Sequence, residues 1–267
     1  MASTLVTTSS NRIDSRFDSL RDAGRKALVC YITAGFPDAD RSIELMKMLE
    51  QEGADVIEVG VPFSDPIADG PVIQRSSQLA LERGMTLDGA LELVSRAQLS
   101  IPIVLFSYLN PLLAAGNDLT LRAIQAGVDG VLVTDLPVGA DPPLEEWLGG
   151  SDLAFIRLVA PTTPSERMRM ISSNGSGFVY LISRLGVTGA RSDVPAELAE
   201  TAVTLRSVTD LPVCIGFGVS TPETAQQVGR IGDGVVVGSA LVAAGERSVS
   251  DATILVRSLR AALDSVQ

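Results

Sequence analysis

The sequence predicts a single α/β domain, a (β/α)8 or TIM barrel with an extra helix before the first strand. Eight short apolar runs rich in β-branched residues recur along the chain, as expected for parallel strands covered on both faces. Amphipathic stretches with helical spacing separate these runs. The chain has 267 residues, which is a usual length for this fold.

The predicted strands are, in order, ALVCYIT (27–33), DVIEVGV (55–61), IPIVLFSY (101–108), DGVLVTD (129–135), LAFIRLVA (153–160), GFVYLIS (177–183), LPVCIGF (211–217) and GVVVGSA (234–240). The predicted helices are, in order, NRIDSRFDSLRDAG before the first strand, RSIELMKMLEQEG, VIQRSSQLALERG, TLDGALELVSRAQ, LTLRAIQAG, PLEEWLGG, SERMRMISSNG, PAELAETAVTLRSV, PETAQQVGR and SDATILVRSLRAAL. Several of these helices open with Ser, Thr, Asp or Pro, the usual helix starters. The alternative is an open doubly wound sheet, but the loop TAGFPDAD after the first strand has no GxGxxG fingerprint, so the barrel is favoured.

The composition excludes several classes of partner. The formal net charge of −11 argues against nucleic acid and anionic membranes, because both attract Lys/Arg patches. No apolar run reaches the roughly 18 residues of a membrane span. The segment MASTLVTTSSNR lacks the features of a signal peptide. We therefore expect a disordered tail over residues 1–11, one barrel domain over 12–267, and a cytoplasmic location.

Missing residue types restrict the chemistry further. The chain has no histidine, so it has no Ser-His or Cys-His nucleophile and no histidine metal ligand. Its two lysines, Lys26 and Lys47, lie before a strand and within a helix, which is unsuitable for a Schiff base. Cys30 and Cys214 are expected to be buried thiols, and no metal site is predicted. Acid–base chemistry must therefore fall to Asp, Glu, Tyr or Cys.

One carboxyl interrupts the second predicted strand. In DVIEVG, Ile57 and Val59 share the face suited to helix packing, which leaves Glu58 on the inner face near the carboxyl end of the strand. Active sites of this fold gather at that end. Burial raises the pKa of a carboxyl, so Glu58 could serve as a general acid near neutral pH. The alternative is a structural Glu paired with an arginine.

The loop VPFSDPIADGP follows directly and carries Asp65 and Asp69. Its three prolines limit its flexibility. From spacing alone, the two aspartates could equally be functional, solvated or helix-capping.

Glycines near the ends of the last three strands indicate a phosphate site. They occur in SRLGVTGARSD, GFGVS and VVVGSA. Glycine lets backbone N–H groups approach an anion, and many barrels bind phosphate after strands seven and eight. A helix starting after Gly238 would direct its positive end to the same place. The polar loop over 183–193 is predicted to be a mobile lid.

A family resemblance extends this interpretation. The segments IEVGVPFSDPIADGPVIQ, YLISRLGVTG, GFGVS and VGSA resemble signature segments of the tryptophan synthase α subunit family, and the resemblance runs from about residue 12 to the C-terminus. It implies a barrel that cleaves indole-3-glycerol phosphate to indole and glyceraldehyde 3-phosphate. The absence of a catalytic lysine or histidine agrees with an acid–base mechanism that needs no cofactor in this chain.

The resemblance also implies roles for individual residues. Glu58 matches the general acid–base, and Asp69 matches the carboxylate that accepts the indole N–H. Thr188 matches a lid threonine that bonds the catalytic Asp when the lid closes. The residues expected to bind the substrate are Tyr31, Phe106, Tyr180, Thr188, Gly189, Gly218, Gly238 and Ser239.

Family members usually pair with a β subunit in an α2β2 heterotetramer. That subunit holds pyridoxal phosphate and receives indole through a tunnel, and Pro62 and Asp65 match the loop that touches it. The sequence leaves other functions open: a stand-alone lyase that releases indole, another phosphate-binding barrel enzyme, or a non-catalytic partner of a β subunit.

Overall fold

Eight parallel strands close into a barrel in the computed structural model, which describes residues 11–182, 195–216 and 218–266. The strands are β1 Ala27–Thr33, β2 Val56–Gly60, β3 Ile103–Ser107, β4 Gly130–Val133, β5 Ala154–Val159, β6 Val179–Ile182, β7 Val213–Gly216 and β8 Gly234–Val237. Each strand pairs with the next one in the chain, and β8 pairs with β1. The predicted barrel is confirmed.

Helices follow the strands and cover the outside of the barrel. The described helices are α1 Arg12–Asp22, α2 Ala39–Gln51, α3 Pro71–Glu82, α4 Leu87–Ala97, α5 Leu109–Ala115, α6 Leu119–Ala126, α7 Pro142–Gly149, α8 Ser165–Ser173, α9 Ala196–Arg206, α10 Pro222–Ile231, α11 Ser239–Arg247 and α12 Val249–Asp264. The predicted helix before the first strand is α1. The sequence pattern missed α5, because LNPLLAA is short and contains a proline, which a helix tolerates in its first turn.

Strand residues alternate between the barrel interior and the helix layer. Val56 belongs to the interior apolar cluster, whereas Ile57 and Val59 pack in the outer cluster beneath the helices. Glu58 therefore points inward, as its place in the pattern predicts. On the amino-terminal side, α1 closes the interior with Ile13 and Phe17.

Asn11 connects the start of α1 to the rest of the barrel. Its side chain accepts the N–H of Ile13 and caps α1. Its side-chain amide also donates to the carbonyl of Asp129, 2.9 Å away. These bonds attach the first turn of α1 to the segment before β4.

Four polar side chains brace the amino-terminal ends of the strands. Each precedes an even-numbered strand and accepts the backbone N–H of a residue near the start of the strand before it, always at 2.8 Å. The pairs are Asp55 with Leu28, Asp129 with Ile103, Ser176 with Phe155, and Asp233 with Val213. These bonds satisfy N–H groups that the ladder would otherwise leave unpaired and buried.

Charged partners hold the first of these braces in place. Asp55, fully buried, also binds Arg16 at 2.5 Å and Arg260 at 3.0 Å. The elements α1, α12, β1 and β2 meet at this one carboxylate, at the end of the barrel opposite the predicted site. Both cysteines are buried free thiols, as expected. No helix within the described ranges is long and apolar enough to cross a membrane.

Candidate active site

Glu58 is buried inside the barrel with only 1% of its surface exposed. In the strand register it lies beside Tyr31 of β1 and Val104 of β3. Its Oε1 atom has no hydrogen-bond partner, and no lysine or arginine of the described residues forms an ion pair with it. Burial raises the pKa of Glu58 to about 8, because the charged form is disfavoured away from water. At neutral pH this side chain is therefore mainly a neutral acid.

Asp69 lies in the loop between β2 and α3, above the carboxyl end of the barrel. The loop turns tightly, since the N–H of Asp69 donates to the carbonyl of Pro66 at 3.1 Å. Gly70 and Pro71 then start α3, and Gln74 of its first turn donates to the carbonyl of Asp69 at 2.8 Å. Burial raises the pKa of Asp69 to about 6, although a hydrogen bond from Tyr108 lowers it. At neutral pH Asp69 is mainly ionised.

Tyr108 was not singled out by the sequence, where it is only the last residue of an apolar run. It is 3% exposed, and its hydroxyl donates to Oδ2 of Asp69 at 3.0 Å. The same hydroxyl accepts the N–H of Ala68 at 2.9 Å. The sequence feature that could have identified Tyr108 is its polar ring at the carboxyl end of a barrel strand, because functional side chains collect there.

Two aromatic side chains form one wall of the site. Tyr31 and Phe106 pack edge to face, with ring centroids 5.3 Å apart and an interplanar angle of 79°. The ring of Tyr31 extends over the neighbouring strand, where a Cβ on Gly60 would overlap its hydroxyl. The glycine in the second strand therefore makes room for this ring beside Glu58.

Tyr180 repeats that arrangement on the other side of the barrel. It pairs in register with Cys214 of β7, and a Cβ on Gly216 would overlap its hydroxyl. Burial raises the pKa of Tyr180, and the nearby Glu58 raises it further. Gly216, one of the glycines attributed to phosphate binding from the sequence, is thus explained by packing against Tyr180.

Two other glycines of the predicted phosphate site, Gly218 and Gly238, lie within the described residues and have no such packing role. Gly218 adopts a positive φ of +61°, and a Cβ there would meet nothing within 4 Å. A Cβ on Gly238 would make only an ordinary 3.7 Å contact with Tyr31. Gly238 caps α11 without any side-chain bond, and Ser239 begins that helix. The first N–H groups of a helix have no acceptor within it, so they are open to an anion.

Comparisons with known proteins identify relatives of this chain. Residues 17–266 match the model of a family described as tryptophan synthase alpha chain. The tryptophan synthase alpha chain of Desulfatibacillum aliphaticivorans is 50% identical over 231 residues, which cover 85% of this chain and 87% of the relative. That of Laribacter hongkongensis is 46% identical over 263 residues, covering 96% of this chain and 100% of the relative.

The chain belongs to the tryptophan synthase alpha chain family.

Solved structures of the family share the fold closely. The tryptophan synthase subunit alpha of Legionella pneumophila superposes with a TM-score of 0.88 at 35% identity, covering 97% of this chain and 100% of that one. A chain of Mycobacterium tuberculosis tryptophan synthase gives the same TM-score and identity, with 96% and 99% covered. The chain is thus a lyase that cleaves indole-3-glycerol phosphate to indole and glyceraldehyde 3-phosphate.

In this member of the family, the loop predicted to touch the partner has a buried part and an exposed part. Pro62 is buried by the chain itself, so it shapes the loop and offers little surface to a partner. Asp65 is exposed, and Ser64 donates to its carboxylate at 2.5 Å. Ile67 of the same loop is not among the predicted interface residues, and its side chain is 86% exposed.

Two predicted substrate-binding residues, Thr188 and Gly189, lie outside the described residues, as does the predicted lid over 183–193. Of the remaining predicted site residues, the structure places Glu58, Tyr31, Phe106 and Tyr180 on the interior face of the barrel. Asp69 lies in the loop above them. In the part of the chain that is described, no cluster of three or more His, Cys, Asp and Glu side chains could hold a metal ion.

Proposed function

We propose that Glu58 and Asp69 together carry out the cleavage of indole-3-glycerol phosphate. The observation that carries this proposal is the burial of Glu58 inside the barrel without a hydrogen-bond partner for its Oε1, below the hydrogen-bonded carboxylate of Asp69. One carboxyl is dry and neutral with a pKa of about 8, and the other is ionised with a pKa of about 6. Pairs of titratable groups whose surroundings separate their pKa values in this way are typical of acid–base sites.

Each step of the reaction has a suitable group. Glu58 gives its proton to C3 of the indole ring, which leaves a cationic ring nitrogen. The ionised Asp69 accepts the indole N–H and stabilises that positive charge. The C3′ hydroxyl then loses its proton to Glu58, the C3–C3′ bond breaks, and its electron pair returns to the ring. Indole and glyceraldehyde 3-phosphate result, and Glu58 is protonated again.

The remaining residues hold the two ends of the substrate. Tyr31, Phe106 and Tyr180 supply an aromatic enclosure for the indole ring next to Glu58. Gly218, Gly238 and Ser239 lie after β7 and β8, where backbone N–H groups could bind the phosphate. Thr188 and Gly189 retain their predicted roles in the lid and the phosphate site. No step of this mechanism requires a cofactor in this chain.

Release of indole from indole-3-glycerol phosphate tests the proposal. Glu58→Gln keeps the shape of the side chain but removes its proton, so indole release should fall by at least about 10²-fold. Asp69→Asn should lower kcat by a similar factor. Glu92→Gln, which changes a surface side chain that is 69% exposed, is the matched control and should leave turnover unchanged. Turnover retained by Glu58→Gln would refute the proposed role.

We further propose that the chain pairs with a tryptophan synthase β subunit, in an α2β2 assembly. The exposed Asp65 and Ile67 support this, because they border a surface groove of about 540 Å³ between the loop and α3. A partner that packed on this loop would bury the Ile67 side chain, which is 86% exposed. Pyridoxal phosphate is expected only in that partner, and a cytoplasmic location stays a prediction.

Mixing experiments distinguish the assembly from a stand-alone lyase. Light scattering after gel filtration should show a complex with an added β subunit, and Ile67→Asp should weaken it by placing a charge in the interface. Val203→Asp, which changes an equally apolar side chain that is 70% exposed on α9, is the control. Full lyase activity without any complex would instead support the stand-alone enzyme.

A further inference from the structure

We propose that Tyr108 is a positioning residue that orients Asp69 and keeps it ionised; this rests on the proposed role of Asp69. The two residues come from different parts of the barrel. Tyr108 follows β3, whereas Asp69 lies in the loop after β2. Their 3.0 Å hydrogen bond is the only one that the Asp69 carboxylate makes with the described residues.

The direction of this hydrogen bond is set by a second one. A phenol has one proton to donate, and the hydroxyl of Tyr108 already accepts the N–H of Ala68 at 2.9 Å. Its own proton is therefore directed at Oδ2 of Asp69. The other oxygen, Oδ1, has no hydrogen bond from the described residues, which leaves it available to accept the indole N–H.

Tyr108 is itself held rigidly. Its carbonyl accepts the hydroxyl of Ser107 at 2.8 Å, and the N–H of Leu109 donates to Asp135 at 2.7 Å. The Tyr108 ring packs against Phe63, with centroids 5.0 Å apart. The loops after β2, β3 and β4 thus meet at this tyrosine, and its hydroxyl has a fixed position to which Asp69 is tied.

The hydrogen bond acts on Asp69 in two ways. It favours the ionised carboxylate, so it opposes the increase in the pKa of Asp69 that burial causes. It also restricts rotation of the carboxylate, which keeps Oδ1 directed at one place. The first effect is seen only near the pKa of Asp69, whereas the second persists at every pH.

Tyr108→Phe tests both effects, because it removes the hydroxyl and keeps the ring. The acidic limb of the kcat profile should move upward by about one pH unit, as expected for the loss of about 1.4 kcal/mol of stabilisation of the charged form. The 13C resonance of the Asp69 carboxyl should titrate with the same displacement. Above pH 8, kcat should remain about tenfold below that of the parent enzyme, with KM changed less than twofold.

Two further variants separate positioning from general damage. Phe63→Leu disturbs the packing of the ring but keeps the hydroxyl, so the acidic limb should stay in place. In an Asp69→Asn background, Tyr108→Phe should have little further effect on kcat, because the group that it positions is already lost. An unmoved acidic limb in Tyr108→Phe, or an undiminished loss in the Asp69→Asn background, would overturn the inference. Full activity of Asp69→Asn alone would instead refute the proposed function.

Discussion

Replacing Glu58 by Gln should abolish catalysis while making the folded chain more stable at neutral pH. Folding takes Glu58 from water, where its pKa is 4.5, to a dry interior where its pKa is about 8. Between these values the unfolded chain ionises more readily than the folded one, so increasing pH favours unfolding. The neutral amide of Gln removes that dependence.

The magnitude follows from the difference in pKa. At pH 4.5 the unfolded chain is already half ionised at this position, so the effective difference up to pH 7 is about 2.2 pH units. At about 1.4 kcal/mol per unit this makes about 3 kcal/mol. The gain of Glu58→Gln in the free energy of unfolding should therefore be about 3 kcal/mol larger at pH 7 than at pH 4.5. This gain in the free energy of unfolding should stop increasing above about pH 8. The buried Gln amide without a hydrogen-bond partner lowers the free energy of unfolding by about 1–3 kcal/mol at every pH. The test therefore depends on how the difference between the two proteins changes with pH.

Urea-induced unfolding of both proteins, followed by circular dichroism at a series of pH values, measures this difference. Glu92→Gln on the surface of α4 is the control, and its difference from the parent protein should stay within about 0.5 kcal/mol. A Glu58→Gln difference that is constant between pH 4.5 and 8 would show that Glu58 is not held neutral, and the reasoning about its burial would be wrong.

Three further outcomes follow from the structure. The value of kcat/KM should rise with pH through about 6 as Asp69 ionises and fall above about 8 as Glu58 loses its proton, and steady-state indole assays across this range would show it. Gly238→Ala should raise KM about tenfold or more, because a methyl group takes the place of the approaching phosphate; an unchanged KM would contradict the phosphate site. The same substitution should change the free energy of unfolding by only about 1 kcal/mol, since the added Cβ makes only ordinary van der Waals contacts. Asp55→Ala should lower the free energy of unfolding by about 3–5 kcal/mol, because Arg16 and Arg260 lose a buried partner. KM should stay the same, and a changed KM would show that Asp55 affects the active site at the other end of the barrel.

The barrel was predictable because its strands are continuous apolar runs with clear helical stretches between them. The predicted strand over 55–61 is β2, Val56–Gly60, and the run over 27–33 is β1 without change. Alternation within β2 also gave the inward direction of Glu58, since Ile57 and Val59 required the helix layer. The helix α5 was missed because seven residues with an internal proline carry too little periodicity.

The site was only partly predictable, for a physical reason. Contacts between loops depend on distances that no local pattern contains. Tyr108 and Asp69 are separated by 39 positions and meet only because β2 and β3 are neighbours in the closed sheet. Gly216 is a second example. Its position at the end of a strand suggested a phosphate site, but in the structure the ring of Tyr180 packs against it and leaves no room for a Cβ. Local spacing located the end of the barrel where the site lies, and the fold decided which side chains meet there.

The state of the Glu58 carboxyl at neutral pH tests the account most directly. Infrared difference spectra between the parent chain and Glu58→Gln would show whether that carboxyl carries a proton. We predict the band of a neutral carboxylic acid at pH 6 to 7, converting to that of a carboxylate around pH 8. A carboxylate band already present at pH 6 would contradict the account, because Glu58 would then have no proton to give to the indole ring.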